Sequence, residues 1–350
     1  MRRKDFISMK RLTTEDVARI AGVSQSTVSR VLNDYPYIKK HTREKVLAVI
    51  EELGFTRDEI ARSLVEKRTK SIGLILGSIS NPFFAETAEV IIERAQQLKY
   101  DVIVYNTGHK DENLEQAINL LIGKRVDGII LTSVSKNYTE KIKKLHDNGF
   151  PVLLYNSFLD IEDVNFIVMD NNKGARVAVQ HLLGLGHEKI AKISGPSKYL
   201  ATYERTMGYK QELTDNGYAI DDELIFSSEF SYDKIYSFTK KLLKKKDRPT
   251  AIIAASDQMA LAVLGAASSL DMKIPDDLSV VGFDNIRLAS NEFIGLTTIS
   301  QKMDEMSLTA LEKLIYLIEH KEEEAAASIQ IFLEPELMIR RTTGPAPKQD

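Results

Sequence analysis

Residues 23–33 read VSQSTVSRVLN. Wound as a helix, Val28, Val31 and Leu32 fall at i, i+3 and i+4 and make one apolar face. Gln25, Ser26, Ser29, Arg30 and Asn33 cover a second face, dense in hydrogen-bonding groups yet carrying one charge. A merely solvated face draws on Lys and Glu, which form helices better than Ser, Thr or Asn. Helicity alone therefore does not explain the composition.

The flanking residues complete a unit. Thr13 caps a helix through T-T-E-D, with Asp16 at N3 in place of the Glu of a capping box. Val17, Ile20 and Ala21 form its apolar stripe, and Gly22 ends it, because the turn needs a residue that tolerates positive φ. Ser24 starts the next helix. An Ala at 18, a Gly four residues on and a Val six further have helix-turn-helix spacing. Residues 41–54, HTREKVLAVIEELG, supply a third amphipathic helix ending at Gly54. In such a unit the second helix lies in the DNA major groove. Short polar side chains and Arg30 then reach base edges and phosphates, Arg pairing bidentately with guanine. A three-helix bundle with an exposed Ser/Thr-rich face fits the same spacing. Beyond Gly54, Asp58–Glu66 spells a helix too short to stand alone in water. Its prominent apolar residue, Leu64, either touches the next domain or wedges between base steps of the minor groove.

The chain has 350 residues, enough for two or three domains, and 43% are hydrophobic and 28% charged, a globular balance. No apolar run exceeds strand length, so no membrane span is expected. MRRKDFISMKR lacks the apolar core of a secretory signal, and Met9 is a second candidate start. Without cysteine there is no disulfide framework and no thiol chemistry, and a cytoplasmic location is expected. The net charge of −3 hides an asymmetry: residues 1–70 carry 16 Lys/Arg against 10 Asp/Glu, and the rest 31 against 40. That pattern points to a polyanion partner at the amino end, although +6 over 70 residues also falls within ordinary scatter.

From residue 71 the pattern changes. SIGLIL, YDVIVY, VDGIILTS, FPVLLY, KIAKIS, PTAIIAAS and DLSVVGF alternate with helical segments, the signature of parallel sheet with crossover helices. KSIGLILGS (70–78) is echoed by EKIAKISGP (188–196), and DGIILTS (127–133) by TAIIAAS (250–256). Two similar α/β halves bury a ligand between them at the carboxyl ends of their strands. Candidate contacts there are Asn156 after PVLLY, Ser256 and Asp257 after AIIAA, Asp284 at the end of SVVGFD, and Phe230 as an aromatic wall. Arg205, in ERTMGY, has a guanidinium fork suited to a vicinal diol or carboxylate, or to a surface ion pair. The set suits a sugar or sugar phosphate best, with a purine as the alternative.

Enzyme chemistry finds little support. No G-x-G-x-x-G follows a strand and there is no G-x-S-x-G elbow. His181 and His187 are six apart and share no helix face at ligand distance, so solvent-exposed cap positions are expected for them. Neither a metal nor a cofactor is expected. A transport binding protein would share the core but would not need residues 1–70.

The motifs TTEDVARIAGVSQSTVSRVLN, TREKV, EELGF, ARSL, SNPFFAE, VDGII, HLLGLGHEKIAKISGP, RTMGY, SDQMALAVL, IPDDLSVVGFDN, LTTISQ and PELMIRRTTG follow one another from Thr13 to Gly344. In this the chain resembles the LacI/GalR family of bacterial transcriptional regulators. The resemblance implies an α/β architecture: a helix-turn-helix headpiece (1–57), a hinge helix and linker (58–70), and a periplasmic-binding-protein-like core (71–344) of two Rossmann-like subdomains. These take residues 71–169 with 301–330 and 170–300 with 331–344, with crossovers near Asp170, Ser300 and Ile331 and a tail at 345–350. It implies a homodimeric repressor on a palindromic operator, with a small molecule in the core changing operator affinity. By position it assigns operator contacts to Thr13, Ser24, Gln25, Ser26, Thr27, Ser29, Arg30 and Asn33, phosphate contacts to Tyr37 and Thr42, and minor-groove insertion to Leu64 beside Ala61. Phe83 matches the ring packed on the effector, leaving Phe84 to the core. Departures are Arg57-Asp58 where many members have Pro-Asn, Asn156 for Asp, Ser256 for Asn, and Gly295 for Pro.

Overall fold

The computed structural model describes residues 12–55, 68–159, 163–321 and 328–348. The chain divides after Thr69 into two units. The first holds α1 (Thr14–Ala21), α2 (Gln25–Leu32) and α3 (Lys40–Leu53). At the start of α1 the Thr13 hydroxyl accepts from the Asp16 N–H and the Asp16 carboxylate accepts from the Thr13 N–H, a closed capping box. The hydrogen bonds from Thr13, with help from Arg19, hold the Asp16 carboxyl down to about 2. Gly22 and Gly54 end α1 and α3 at φ of +60° and +56°. None of these helices is long enough to be stable alone. They persist by burying one apolar cluster, Val17, Ala18, Ala21, Val28, Val31, Val46, Val49 and Phe55. Ala61 and Leu64 lie outside the described residues.

The second unit contains two six-stranded sheets. The first comprises β1 (Ser71–Leu76), β2 (Asp101–Asn106), β3 (Gly128–Thr132), β4 (Val152–Tyr155), β5 (Phe166–Met169) and the late strand β11 (Gln330–Leu333). The second comprises β6 (Ile190–Ser194), β7 (Ile225–Ser227), β8 (Ala251–Ala254), β9 (Ser279–Asp284), β10 (Thr297–Ser300) and β12 (Glu336–Met338). Their orders, β11-β5-β4-β3-β1-β2 and β12-β10-β9-β8-β6-β7, correspond strand for strand. All pairings are parallel except β12 on β10. β1 and β6 hold the same place, as do β3 and β8, so the two sequence echoes are the two halves of one architecture. Helices α4 (Pro82–Gln97), α5 (Asp111–Gly123), α6 (Thr139–Asp147), α7 (Asn171–Gly184), α8 (Leu200–Asp215), α9 (Tyr232–Leu243), α10 (Asp257–Ser268) and α11 (Met303–Glu319) make the connections.

The chain passes from the first sheet to the second between β5 and β6 and returns between β10 and α11. The third passage differs from expectation. Ile331 pairs with Ile167 in the first sheet, and β11 runs to Leu333, so the chain leaves that sheet at Glu334-Pro335 and not at Ile331. Ile331 and Leu333 pack on the apolar core there, which an alternating strand pattern cannot reveal because it does not say which sheet the strand joins.

His187 is another departure. Far from an exposed cap, it is fully buried, with Nδ1 2.9 Å from the Thr250 hydroxyl and Nε2 2.9 Å from that of Ser279 and 3.0 Å from the Gly344 carbonyl. His181 is half-buried and bonds the Thr343 hydroxyl. Together they clamp the carboxy-terminal segment onto the second sheet, and burial pushes both imidazoles below their ordinary range.

β6 carries an outright conflict between sequence and burial. Lys192 is fully buried, and its Nζ has no hydrogen-bond partner. The corresponding place in β1 holds Leu74, also fully buried. Burial, reinforced by the Arg205 charge, pushes the Lys192 amine from 10.5 down to about 7. Between these values the unfolded chain binds more protons than the folded one, so this site's penalty relaxes as pH rises through the window and is fully in force below it. Lys192→Met is therefore expected to stabilise the protein by about 2–4 kcal/mol at pH 7. Its advantage over wild type should shrink toward pH 10, and thermal melts at pH 7 and pH 10 check this. A variant that melts below wild type at pH 7 contradicts it.

Candidate DNA-reading face and effector cleft

In the first unit, Ser24 caps α2, its hydroxyl accepting from the Thr27 N–H and lying 2.8 Å from the Ser26 and Thr27 hydroxyls. The Gln25 amide donates to the Thr14 hydroxyl at 3.0 Å and ties the start of α2 to α1. Gln25, Ser26, Ser29, Arg30 and Asn33 are all exposed. The Arg30 guanidinium stands 5.8 Å from the Tyr35 ring centre, and Tyr35 meets Tyr37 edge-to-face. Tyr37 is 84% exposed. Arg43 pairs with Asp34 and donates to the Tyr35 carbonyl, bracing the turn after α2. Thr42 is half-buried beside His41. The Thr13 hydroxyl is committed to its cap.

In the second unit, one cavity is lined from both sheets. Asn81, Phe83 and Phe84 follow β1, His109 follows β2, Ser133 follows β3, and Asn156 and Ser157 follow β4. Opposite them Tyr199, Thr202 and Arg205 follow β6, Phe230 follows β7, Ser256 follows β8, and Asp284 ends β9. The structure thus brings together Phe83, Asn156, Arg205, Phe230, Ser256 and Asp284. It does not bring Asp257. That carboxylate accepts from the Thr298 hydroxyl at 2.6 Å and the Ile286 N–H at 2.9 Å and is fully buried inside the second lobe. As the first residue of α10 it turns away from the cavity that its neighbour Ser256 faces. Phe83 and Phe84 are both buried in the apolar core and both line the cavity, so Phe84 reaches the cavity as well as the core. Phe83 packs on Tyr155 and Phe84 faces His109.

Arg205 is buried, so a surface ion pair is ruled out. Its Nε donates to the Asn171 side chain at 2.7 Å and one Nη to the Ala255 carbonyl at 2.5 Å, with Asp284 3.7 Å away. The guanidinium lies 3.7 Å over the Phe283 ring. Asp284 accepts from the Gln301 amide at 2.6 Å. Burial pushes its carboxyl up to about 7, against the pull of Arg205. Asn156 Oδ1 and His109 Nδ1 are buried without hydrogen-bond partners. Burial, then the Lys198 charge, hold the His109 imidazole down to about 4, so it is neutral. Beneath the floor, the Tyr155 hydroxyl lies 3.0 Å from those of Thr87 and Ser307 and fixes the end of β4.

The lobes touch at the rim. Lys198 pairs with Asp111 at 3.2 Å, the Tyr199 hydroxyl donates to the His109 carbonyl, and the Arg287 N–H donates to Glu86, whose neighbour Glu89 takes the guanidinium. What remains inside is about 60 Å³, room for a couple of waters. His109, Tyr199, Asn81, Ser133, Ser157 and Thr202 escaped the sequence reading. The signal for them was present: each lies just after a strand, and NTGHKD follows YDVIVY directly. Among the described residues no acidic or histidine cluster is placed to hold a metal ion.

A helix-turn-helix unit joined to a two-lobed core with a cleft at its strand ends defines a ligand-responsive DNA-binding protein. Comparison with known proteins agrees. Residues 13–58 match the model for bacterial regulatory proteins of the lacI family, and residues 69–336 that for periplasmic binding proteins and the sugar binding domain of the LacI family. The chain belongs to the LacI family and is a DNA-binding transcriptional regulator. It is 37% identical over 306 residues to catabolite control protein A of Priestia megaterium, covering 87% of this chain and 91% of that one. Among solved structures it resembles the lac repressor dimer bound to operator and the anti-inducer ONPF, with TM-score 0.84 and 30% identity over 96% of this chain and all of that one. It also resembles the transcriptional regulator CelR in complex with cellobiose, with TM-score 0.69 and 28% identity over 95% of this chain and all of the other. These relatives are regulators.

Removing one partner of a buried ion pair strands the other. Arg205→Met is expected to cost about 3–5 kcal/mol, and adding Asp284→Asn to recover part of it. Denaturant unfolding of both variants measures this; a double variant no more stable than the single one contradicts the coupling.

Proposed function

We propose that this chain is a cytoplasmic homodimeric repressor that binds a palindromic operator through the exposed face of α2, its affinity set by a sugar in the core cleft. The observation that carries the reading is the cleft itself, amide and hydroxyl groups interleaved with aromatic rings at the strand ends of both lobes, on the same chain as the head. Polar groups such as Asn81, Ser133, Asn156, Ser157 and Thr202 suit hydroxyls, and Phe83, Phe84 and Phe230 suit the apolar face of a sugar ring. Arg205 is already bonded to Asn171 and Ala255 and lies beside Asp284, which favours a neutral sugar over a sugar phosphate. Thr13, Ser24, Gln25 and Thr27 support the head through caps and the link between helices, which leaves base reading chiefly to Ser26, Ser29, Arg30 and Asn33. The exposed Tyr37 suits a phosphate. No helix among the described residues is long and apolar enough to cross a membrane.

Gel shifts with palindromic DNA test the operator. Binding should fall steeply as salt rises, because Lys and Arg displace phosphate counterions. Arg30→Ala should cost about 1–3 kcal/mol and relax specificity at one base pair. Thermal shift with pentoses, hexoses, disaccharides, hexose phosphates and purines tests the cleft. Operator must change the affinity of any sugar that binds by the factor with which that sugar changes operator affinity. No specific shift at either salt concentration would refute the regulator reading.

Dimerisation has its own test. Phe293 is 98% exposed beside a groove of about 860 Å³ lined by Leu261, Leu264, Met272, Ile274 and Ile294. Such a patch suits a second copy of the chain. Phe293→Asp is expected to shift sedimentation toward monomer and weaken operator binding at least tenfold or so; a variant that remains dimeric counts against this face.

A further inference from the structure

The two lobes meet in the cleft through a pair of rings related by the internal duplication. His109 follows β2 in the first lobe, and Phe230 follows β7, which holds the same place in the second. Their ring centres are 4.5 Å apart with planes 32° from parallel. Each ring rests on a glycine, and these glycines also correspond, Gly77 after β1 and Gly195 after β6. A Cβ on Gly77 would come within 2.6 Å of His109 Cε1, and one on Gly195 within 2.7 Å of Phe230 Cε1. No side chain other than hydrogen fits at either place without moving the ring. The His109 backbone is equally constrained: φ is +60°, its N–H donates to the Gly77 carbonyl at 2.9 Å, and its carbonyl accepts from the Tyr199 hydroxyl across the cleft. Tyr199 and Phe84 flank the imidazole edge-on or tilted.

This stack fills the cleft. The remaining 60 Å³ is well below the roughly 300–1,000 Å³ of a ligand pocket. The His109 Nδ1 inside it has no hydrogen-bond partner, so polar bonding within the cleft does not explain the ring's placement. Shape and aromatic contact do.

We propose that His109 is a built-in occupant of the effector cleft: its imidazole holds the seat on the Phe230 face that a sugar ring takes, and the effector binds by displacing it. This rests on the reading of the cleft as a sugar site and adds to it that affinity is set by competition with the protein's own side chain. The site's selectivity follows, because a ligand must offer Phe230 a flat apolar face at least as good as an imidazole while bringing hydroxyls for Asn156 and its neighbours.

The test uses the full-length dimer. Because the chain has no cysteine, Glu140→Cys on α6 and Asp233→Cys on α9 place one spin label on each lobe, with labelled chains diluted in unlabelled ones. Without sugar, His109→Ala is expected to lengthen and broaden the label-to-label distance, while His109→Phe, which keeps a ring on the Phe230 face, stays at the wild-type value. Calorimetry with glucose and with cellobiose is expected to show His109→Ala binding about tenfold tighter than wild type, the factor for a seat free in about a tenth of molecules. His109→Phe should bind no tighter. Wild-type or weaker sugar affinity in His109→Ala overturns the proposal. If neither sugar binds any of the three proteins, glucose and cellobiose fail as effectors and the distances alone decide, an unchanged distance in His109→Ala overturning the displaced-ring mechanism.

Discussion

In a parallel sheet joined by crossover helices every strand ends at the same edge. That constraint organises the core of this protein. Two such sheets meet at these ends, so residues just beyond β1 to β4 and β6 to β8, with the end of β9, line a shared cleft. Leu74, Ile130, Leu154, Ile252 and Val280 are fully buried in the strands, so a change of volume there is costly. The chemistry sits where strands end and the next elements begin, at Phe83, His109, Asn156, Arg205, Phe230 and Asp284.

The duplication makes differences between the lobes informative. The first lobe fixes the floor of the cleft with a neutral chain of hydroxyls, Thr87, Tyr155 and Ser307. The second places an ionised network in the matching region, where Arg205 is shared by Asn171, the Ala255 carbonyl and Asp284, with Asp257 buried close by. Burial pushes both carboxyls up, and the Asp284 charge pushes Asp257 further. Arg205 pulls the Asp284 carboxyl back down, and Arg340 does the same for Asp257. The floor of the cleft is thus braced by neutral hydroxyls in one lobe and by charged groups in the other.

How much of this was legible in the sequence depended on whether the signal was local. The three helices of the head were, because Thr13, Gly22 and Gly54 mark their ends and the valines mark their inner faces. The parallel strands were legible for the same reason, and the echoes around Gly77 and Gly195 revealed the duplication. Placement that depends on distant partners was not. β11 reads as a strand, yet only its pairing with β5 says which sheet it joins. His187 looks like a helix-cap residue until Thr250, Ser279 and Gly344, far off in sequence, close around it. Asp257 and Asp284 both follow strands, but Asp257 is the first residue of α10, and that turn of backbone points its carboxylate at Thr298 and not at the cleft. His109 carries no metal-ligand spacing in the sequence, and its contact with Phe230 is that of an aromatic ring, which only the distant β7 loop reveals.

Two polar atoms, Asn156 Oδ1 and His109 Nδ1, are sealed in without partners, and each such group costs about 1–3 kcal/mol. The aromatic stack of His109 on Phe230 and the rim contacts at Lys198, Tyr199 and Arg287 hold the lobes together around these two polar groups. A purely apolar guest would replace the stack and leave Asn156 unsatisfied. A phosphate would meet an arginine whose bonds are already made. A polyhydroxyl ring removes both objections, covering Phe230 with its C–H face and donating to Asn156 from its edge. A polyhydroxyl ring is therefore the guest that the proposed site fits.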